Sequence, residues 1–187
     1  MQAHADILPC GKRLHLQHGP IDLIIGADGD RKAAFEVAKD RFSTVLAELV
    51  SELANLKLPI NIDCPMPFGH VAQRMDQAVR PFAQDAFVTR MAAVAGSVAD
   101  TVLGAMQTVS LSRAYVNNGG DIALHLAEGH SFTLAMAGHD FCDLGRITID
   151  YDDPIRGIAT SGRHGRSFSL GIADSVTVLA TNAASAD

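Results

Sequence analysis

Ala114-Tyr115-Val116-Asn117-Asn118-Gly119-Gly120-Asp121-Ile122-Ala123-Leu124-His125-Leu126 reads as two short strands around a tight turn. Asn and Gly tolerate positive φ, which a tight hairpin needs, and the flanking residues mostly alternate apolar with polar or small side chains. The same period returns in Phe132–Met136, Arg146–Asp150 and Val176–Leu179, with Gly-rich turns between the runs. These runs predict an antiparallel sheet with one face covered by helices.

Upstream, the spacing is different. Arg13–Gln17 alternates, Gly19-Pro20 turns and Ile21–Ile25 follows, so a hairpin is expected with strands near 12–18 and 21–26. Ala27-Asp28-Gly29-Asp30 supplies a turn and a candidate helix cap. Phe35, Ala38, Phe42, Val45, Leu46, Leu49 and Leu53 then recur at helical spacing, predicting an amphipathic helix over roughly 30–54. Pro59, Pro65 and Pro67 forbid helix in the next stretch and favour an extended crossing segment. Helices are expected again over about 70–80 and 84–107, the second rich in small residues from Met91 to Asp100 that would let another backbone or a ligand come close. The order of hairpin, helices and strand run makes the chain α+β, a single domain over residues 1–187.

Composition narrows the function classes. Of 187 residues, 15 are Lys or Arg and 21 Asp or Glu, a net charge of −6, with no Trp and two Tyr. Such a chain has little with which to grip nucleic acid by charge or stacking, so no nucleic-acid partner is expected. No apolar run is long enough to span a bilayer, so no membrane association is expected. Three scattered cysteines, Cys10, Cys64 and Cys142, suit reduced thiols, and a cytoplasmic location is the expectation.

Three segments could carry chemistry. In Asn117-Asn118-Gly119-Gly120-Asp121 the glycines leave backbone amides open to a ligand, although a plain turn explains the same residues. Gly157-Ile158-Ala159-Thr160-Ser161-Gly162-Arg163-His164-Gly165-Arg166-Ser167 could line phosphate oxygens, or be a solvated hairpin tip. His139-Asp140-Phe141-Cys142-Asp143 contains every zinc-ligand type, but its spacing matches no common zinc pattern and a loop is the better reading. Walker A, dinucleotide-fold and nucleophile-elbow motifs are absent.

Taken together, Ala93-Val94-Ala95-Gly96-Ser97-Val98-Ala99-Asp100, Asn117–Asp121, Ala159-Thr160-Ser161-Gly162, Ser175–Ala180 and Ala186-Asp187 resemble the ApbE superfamily in order and spacing. The likeness is to its uncharacterised ApbE-like proteins more than to the FAD:protein FMN transferases themselves. The resemblance implies an α+β fold related to the tunnelling fold. It also implies FAD and Mg²⁺ as cofactors and an acceptor flavoprotein as partner; a homo-oligomer is a separate expectation, which goes with an accessory or assembly role. Asp100, Asn118, Gly119, Gly120, Thr160, Ser161 and Gly162 would line the flavin nucleotide, and Asp187 falls on the metal-binding aspartate.

The chain departs from the transferases at Ala95, where they usually carry Lys, and in Phe168–Asp174, where their His-x-x-Asp-Pro-x-x-Gly segment has no counterpart. The family pattern also continues past the position of Asp187 into a further helix, whose absence here would expose part of the sheet. Ala95 and the missing His-x-x-Asp-Pro segment favour the alternative, a non-catalytic accessory or assembly protein on the same scaffold, while the missing helix is expected to mean a longer native chain or a partner that covers the sheet. A third expectation is a nucleotide or metabolite hydrolase that uses Arg163, His164 and Arg166 to hold phosphate.

Overall fold

The computed structural model describes residues 3–137, 143–163 and 171–187. Leu14, Leu16, Leu23, Ile25 and Ala27 alternate with less buried residues, and this alternation builds β2 (Arg13–His18) and β3 (Ile21–Gly29) on one buried face. In front of them lies β1 (His4–Ile7), a fully exposed edge strand whose short polar sequence gave no strand signal. Asp30 accepts a hydrogen bond from the Ala33 amide at 3.1 Å and so opens α1 (Arg31–Ser51), which a single turn, α2 (Leu53–Leu56), extends. Next come α3 (His70–Val79) and α4 (Val94–Met106). The remaining strands are β4 (Leu111–Asn118), β5 (Asp121–Leu126), β6 (Ser131–Ala137), β7 (Asp143–Asp150), β8 (Gly157–Ser161) and β9 (Val176–Ala180). A last short turn, α5 (Ala183–Ala186), follows.

Seven strands form one sheet in the order β1-β2-β3-β4-β5-β8-β9, every neighbouring pair antiparallel. Phe35, Ala38, Phe42 and Val45 of α1 and Val98, Val102 and Met106 of α4 pack on one face against Leu14, Leu23, Ile25, Ala114 and Val116. The expectation of a single covered face is incomplete. Hairpin β6–β7 leaves the main sheet and lies on the opposite side, where Ile149 packs with Leu124, Leu126 and Ile158 in a second core. The reason lies in β5: Ile122, Leu124 and Leu126 all project away from the helices and need cover of their own.

Two further expectations are corrected. The helix expected over 84–107 begins ten residues late. The Ile60 amide donates to the Val88 carbonyl at 3.0 Å, Thr89 bridges to Pro59, and Arg90–Ala93 form one 3-10 turn before α4. Pairing with the proline-rich segment therefore claims backbone that a longer helix would have used. The Gly157–Ser161 stretch, expected as a turn, is strand β8 and bridges β5 to β9. No helix among the described residues is long and apolar enough to cross a membrane.

The proline-rich segment is held by a buried ion cluster that the sequence did not announce. Asp76 on α3 accepts from Arg80 at 2.7 and 2.9 Å and from Arg90 at 2.7 Å, while the two guanidiniums donate onward to the carbonyls of Ile62, Cys64 and Pro65. Asp76 and Arg90 are each almost wholly buried. Cys10 and Cys64 are free thiols, and Cys142 lies outside the described residues.

Candidate functional site

The Asn-Asn-Gly-Gly turn joins β4 to β5, with Gly119 and Gly120 at φ +67° and +118°. A Cβ at either position would meet no atom within 4 Å, so the tip is open to approach. Asn117 accepts from the Gly120 amide at 2.9 Å and fixes the turn. Asn118 points to the helix-covered side, where its Nδ2 donates to the Ala95 carbonyl at 3.1 Å and ties the turn to the start of α4.

At that helix start, Asp187 accepts from the Gly96 amide at 2.8 Å. Ala93, which caps α4, gives no side-chain hydrogen bond, so a carboxylate from the other end of the chain satisfies an amide that would otherwise lack an acceptor. Although Asp187 is exposed as a whole residue, its carboxyl end is turned in against α4. Desolvation raises its pKa to about 6, opposed by the Gly96 and Ala95 amides. Asp121, just past the Gly-Gly tip, is raised to about 7, chiefly by desolvation and then by the charge of Asp187, and is opposed by the Thr160 amide. Two carboxylates from distant parts of the chain thus share one small region beside an open glycine turn.

The pairing of β5 with β8 also brings in the second segment. Ile122 lies opposite Ile158 and Ala123 opposite Gly157. Continuing that register sets Asp121 and Gly120 beside Ala159 and Thr160. Strand alternation then divides the two hydroxyls. Ser161 shares the helix-covered face with Asp121 and Asn118, whereas Thr160 projects to the other face and bonds Thr177 Oγ1 at 3.0 Å. Gly162 is a packing glycine, since a Cβ there would lie 2.1 Å from the Asp174 carbonyl.

Asp100 serves α5. Its two oxygens accept from the Ala183 and Ala184 amides at 3.1 and 2.9 Å, and Arg74 Nη1 lies 4.0 Å away. Desolvation raises its pKa and the two amides oppose the rise. By holding α5, Asp100 sets where Asp187 sits. Gly96 completes this arrangement, because a Cβ there would come within 2.2 Å of the Ala183 carbonyl. The small residues of α4 thus admit another stretch of this chain's backbone.

The structure therefore gathers Asn118, Gly119, Gly120, Ser161 and Asp187 around the start of α4, with Asp100 behind them, Thr160 facing away and Gly162 in packing. Sequence reasoning marks Asp121 only as a hydrogen-bonding group beside the glycine turn and not as a metal-binding or flavin-lining residue; its pairing with Asp187 arises only on folding. Arg163 pairs with Asp174 at 2.6 Å, while His139, Asp140, Phe141, Cys142, His164 and Arg166 lie outside the described residues. Among the described residues no group of three or more His, Cys, Asp or Glu side chains is placed to hold a metal ion.

Several curated proteins are similar to this chain in sequence. The chain is 30% identical over 162 residues to the UPF0280 protein of Methanosphaerula palustris, covering 84% of this chain and 67% of that protein. It is 34% identical over 117 residues to the UPF0280 protein of Methanopyrus kandleri, 63% of this chain and 45% of that one. With the UPF0280 protein of Methanosarcina acetivorans it shares 29% identity over 171 residues, 89% of this chain and 66% of the relative. The matches thus span from 45% to 67% of the relatives' own length. The family model described as AbpE bacteria matches residues 5–187, and the chain belongs to that family.

Proposed function

We propose that this protein is an ApbE-like binder of a flavin nucleotide, taking FAD with Mg²⁺ where Asn118–Asp121, Ser161 and Asp187 meet the start of α4. One juxtaposition carries the reading: Asn118 donates to the Ala95 carbonyl and Asp187 accepts from the Gly96 amide, so the open Gly-Gly turn, with Asp121 just past it, and Asp187 meet at the start of α4, where burial disfavours charge on both acids. Two like charges kept together in this way are relieved by a dication. Mg²⁺ characteristically uses one or two carboxylates and takes its other oxygens from phosphate and water, which suits a site with two acidic side chains. The residues present therefore fit the ion.

In this reading Asp121 and Asp187 hold the metal, and the Gly119 and Gly120 amides face the phosphates. Ser161 adds a hydroxyl, Asn118 keeps the turn against α4, and Asp100 positions α5 so that Asp187 reaches the site. When bound, Mg²⁺ would neutralise the pyrophosphate and favour departure of AMP in FMN transfer to an acceptor protein. Calorimetric titration with FAD, with and without Mg²⁺, tests the binding. Wild type should bind FAD in a Mg²⁺-dependent manner, and Asp121→Asn and Asp187→Asn should each weaken binding by about tenfold or more. Incubation with FAD, Mg²⁺ and candidate acceptors should leave a fluorescent acceptor band on a denaturing gel if transfer is retained. Absence of FAD binding under both conditions removes the proposal.

A second reading, a non-catalytic accessory protein on the same scaffold, also has structural support. Gly96, Gly157 and Gly162 are all filled by this chain's own backbone, and both Asp100 oxygens are already bonded. A stable oligomer in a mass measurement, together with indifference to FAD, supports this reading; Mg²⁺-dependent FAD cleavage excludes it.

A further inference from the structure

A second cleft lies at the other end of β4 and on the other face of the sheet. Its volume is about 400 Å³, within the range of small-ligand sites, and it opens between the start of β6 and the β2–β3–β4 surface. Arg113 lines it, while Asn118 belongs to the flavin-site turn. At about 3.3 Å per residue the two are separated by roughly 17 Å along the strand, and they project to opposite faces.

Four cationic side chains border this cleft, Lys12, Arg13, Arg31 and Arg113, and one carboxylate, Asp28, answers them. The concentration is notable in a chain whose net charge is −6. Asp28 is shared, accepting from Arg31 at 3.1 Å and from Arg113 at 2.7 Å, and those two guanidiniums are further fixed by the carbonyls of Ala27 and Ser131. They are therefore pre-positioned donors with remaining N–H groups, and their charge exceeds that of the acid between them. Arg13 interacts with Cys10 and Tyr115. The Lys12 ammonium has no partner among the described residues.

The walls are aromatic. Tyr115 lies so close over Gly26 that a Cβ there would be 2.4 Å from its ring, and Phe132 meets Tyr115 edge-on at 6.0 Å. Arg113 stacks over Phe132 at 5.4 Å. A fixed pair of guanidiniums, an unpaired ammonium and two aromatic rings form a surface for a charged head joined to a flat apolar body.

We propose that this cleft binds a small aromatic phosphomonoester, independently of the flavin site. The phosphate sits among Lys12, Arg31 and Arg113, and the ring lies against Tyr115 and Phe132. The test is calorimetric titration of the full chain with phenyl phosphate in the presence of EDTA, which keeps divalent cations from the Asp121–Asp187 end. Saturable binding is expected, tighter than that of inorganic phosphate or phenol. Lys12→Glu, a change at an exposed position, should weaken it by about tenfold or more while leaving the circular dichroism spectrum unchanged. Asp187→Asn should leave it unaltered, so failure of the flavin reading and failure of this one are separately visible. Absence of saturable binding, wild-type affinity in Lys12→Glu, or loss of affinity in Asp187→Asn overturns the site. Equal affinity for inorganic phosphate overturns the aromatic part of the ligand.

Discussion

Gly96 and Gly104 stand eight residues apart on α4 and should respond to the same substitution with opposite signs. At Gly104 a Cβ meets nothing within 4 Å, so Gly104→Ala gains helix propensity and should stabilise by about 0.5–1 kcal/mol. At Gly96 the same gain is outweighed by a Cβ 2.2 Å from the Ala183 carbonyl, a backbone atom that cannot rotate away. Gly96→Ala should cost about 1–3 kcal/mol net, read as a lower urea midpoint at unchanged slope. Asp121 offers a test with pH as the variable. Its pKa is raised from 3.8 to about 7 in the folded chain, so the native state binds the extra proton between those values. Stability from this group is therefore present below about pH 4 and is lost as pH rises through about 7. Asp121→Asn cannot ionise and should flatten that part of the pH–stability profile. Because the site is partly open to solvent, the variant should exceed wild type by about 1–2 kcal/mol at pH 8, with the difference closing toward pH 4. A difference that instead grows on acidification would show that the carboxylate is stabilised in place, contrary to this account.

Carboxylates from elsewhere in the chain accept from first-turn amides of three helices. For α3 and α4 they stand in for a side-chain cap that the helix lacks, whereas α5 also has its own cap in Asn182, which accepts from the Ser185 amide at 2.8 Å. Gly69 opens α3 without a side-chain hydrogen bond, yet Glu52 accepts from the Phe68 and Gly69 amides at 2.8 and 2.6 Å and Glu48 from Val71 at 2.8 Å. Asp187 and Asp100 do the same for α4 and α5. Glu52→Ala should lower stability by about 1–2 kcal/mol, with the earliest hydrogen exchange at the start of α3. Asp76→Ala is the harsher change, because it strands Arg90 without its partner in a site that is 1% exposed. About 3–5 kcal/mol should be lost, and the Pro59–Thr89 bridge should open with it. These contacts also mark where sequence reading stops. Helix α1 was legible because Phe35, Ala38, Phe42, Val45 and Leu49 repeat at helical spacing, and the β4–β5 hairpin because Asn-Asn-Gly-Gly suits few other conformations. The delayed start of α4 was not legible, since Val88 and Thr89 leave the helix only because Ile60 and Pro59 reach them from far back in the chain. At the site the open glycine turn was legible, while the facing of Ser161 and Thr160 was not, because it follows from the β5–β8 register.

Across the whole molecule the seven-stranded sheet is not uniformly stitched. β3 and β4 are paired over seven register positions and β4 and β5 over six, but β5 and β8 over two only. Beyond the two paired positions the seam is closed by one more backbone bond, from the Leu124 amide to the Arg156 carbonyl at 2.8 Å, and by packing: α5 lies against β8 on one face, and Ile158 enters the second core on the other. Ile149 of β7 is fully buried in that second core, so hairpin β6–β7 acts as a clasp across the seam. Ile149→Ala should therefore cost about 2–4 kcal/mol, the range for truncating a buried isoleucine, but its distribution should be uneven. Native-state hydrogen exchange should show β8, β9 and hairpin β6–β7 losing protection together, while β2–β4, held by α1 and α4, keep theirs. The candidate flavin site straddles this seam, with Asn118 and Asp121 on its firm side and Ser161 on its loose side. If FAD and Mg²⁺ bind as proposed, they should bridge it, raising protection in β8 of the wild type and restoring much of what Ile149→Ala removes. Equal loss of protection across all seven strands in the variant would instead make the sheet a single cooperative unit, with no seam for a ligand to close.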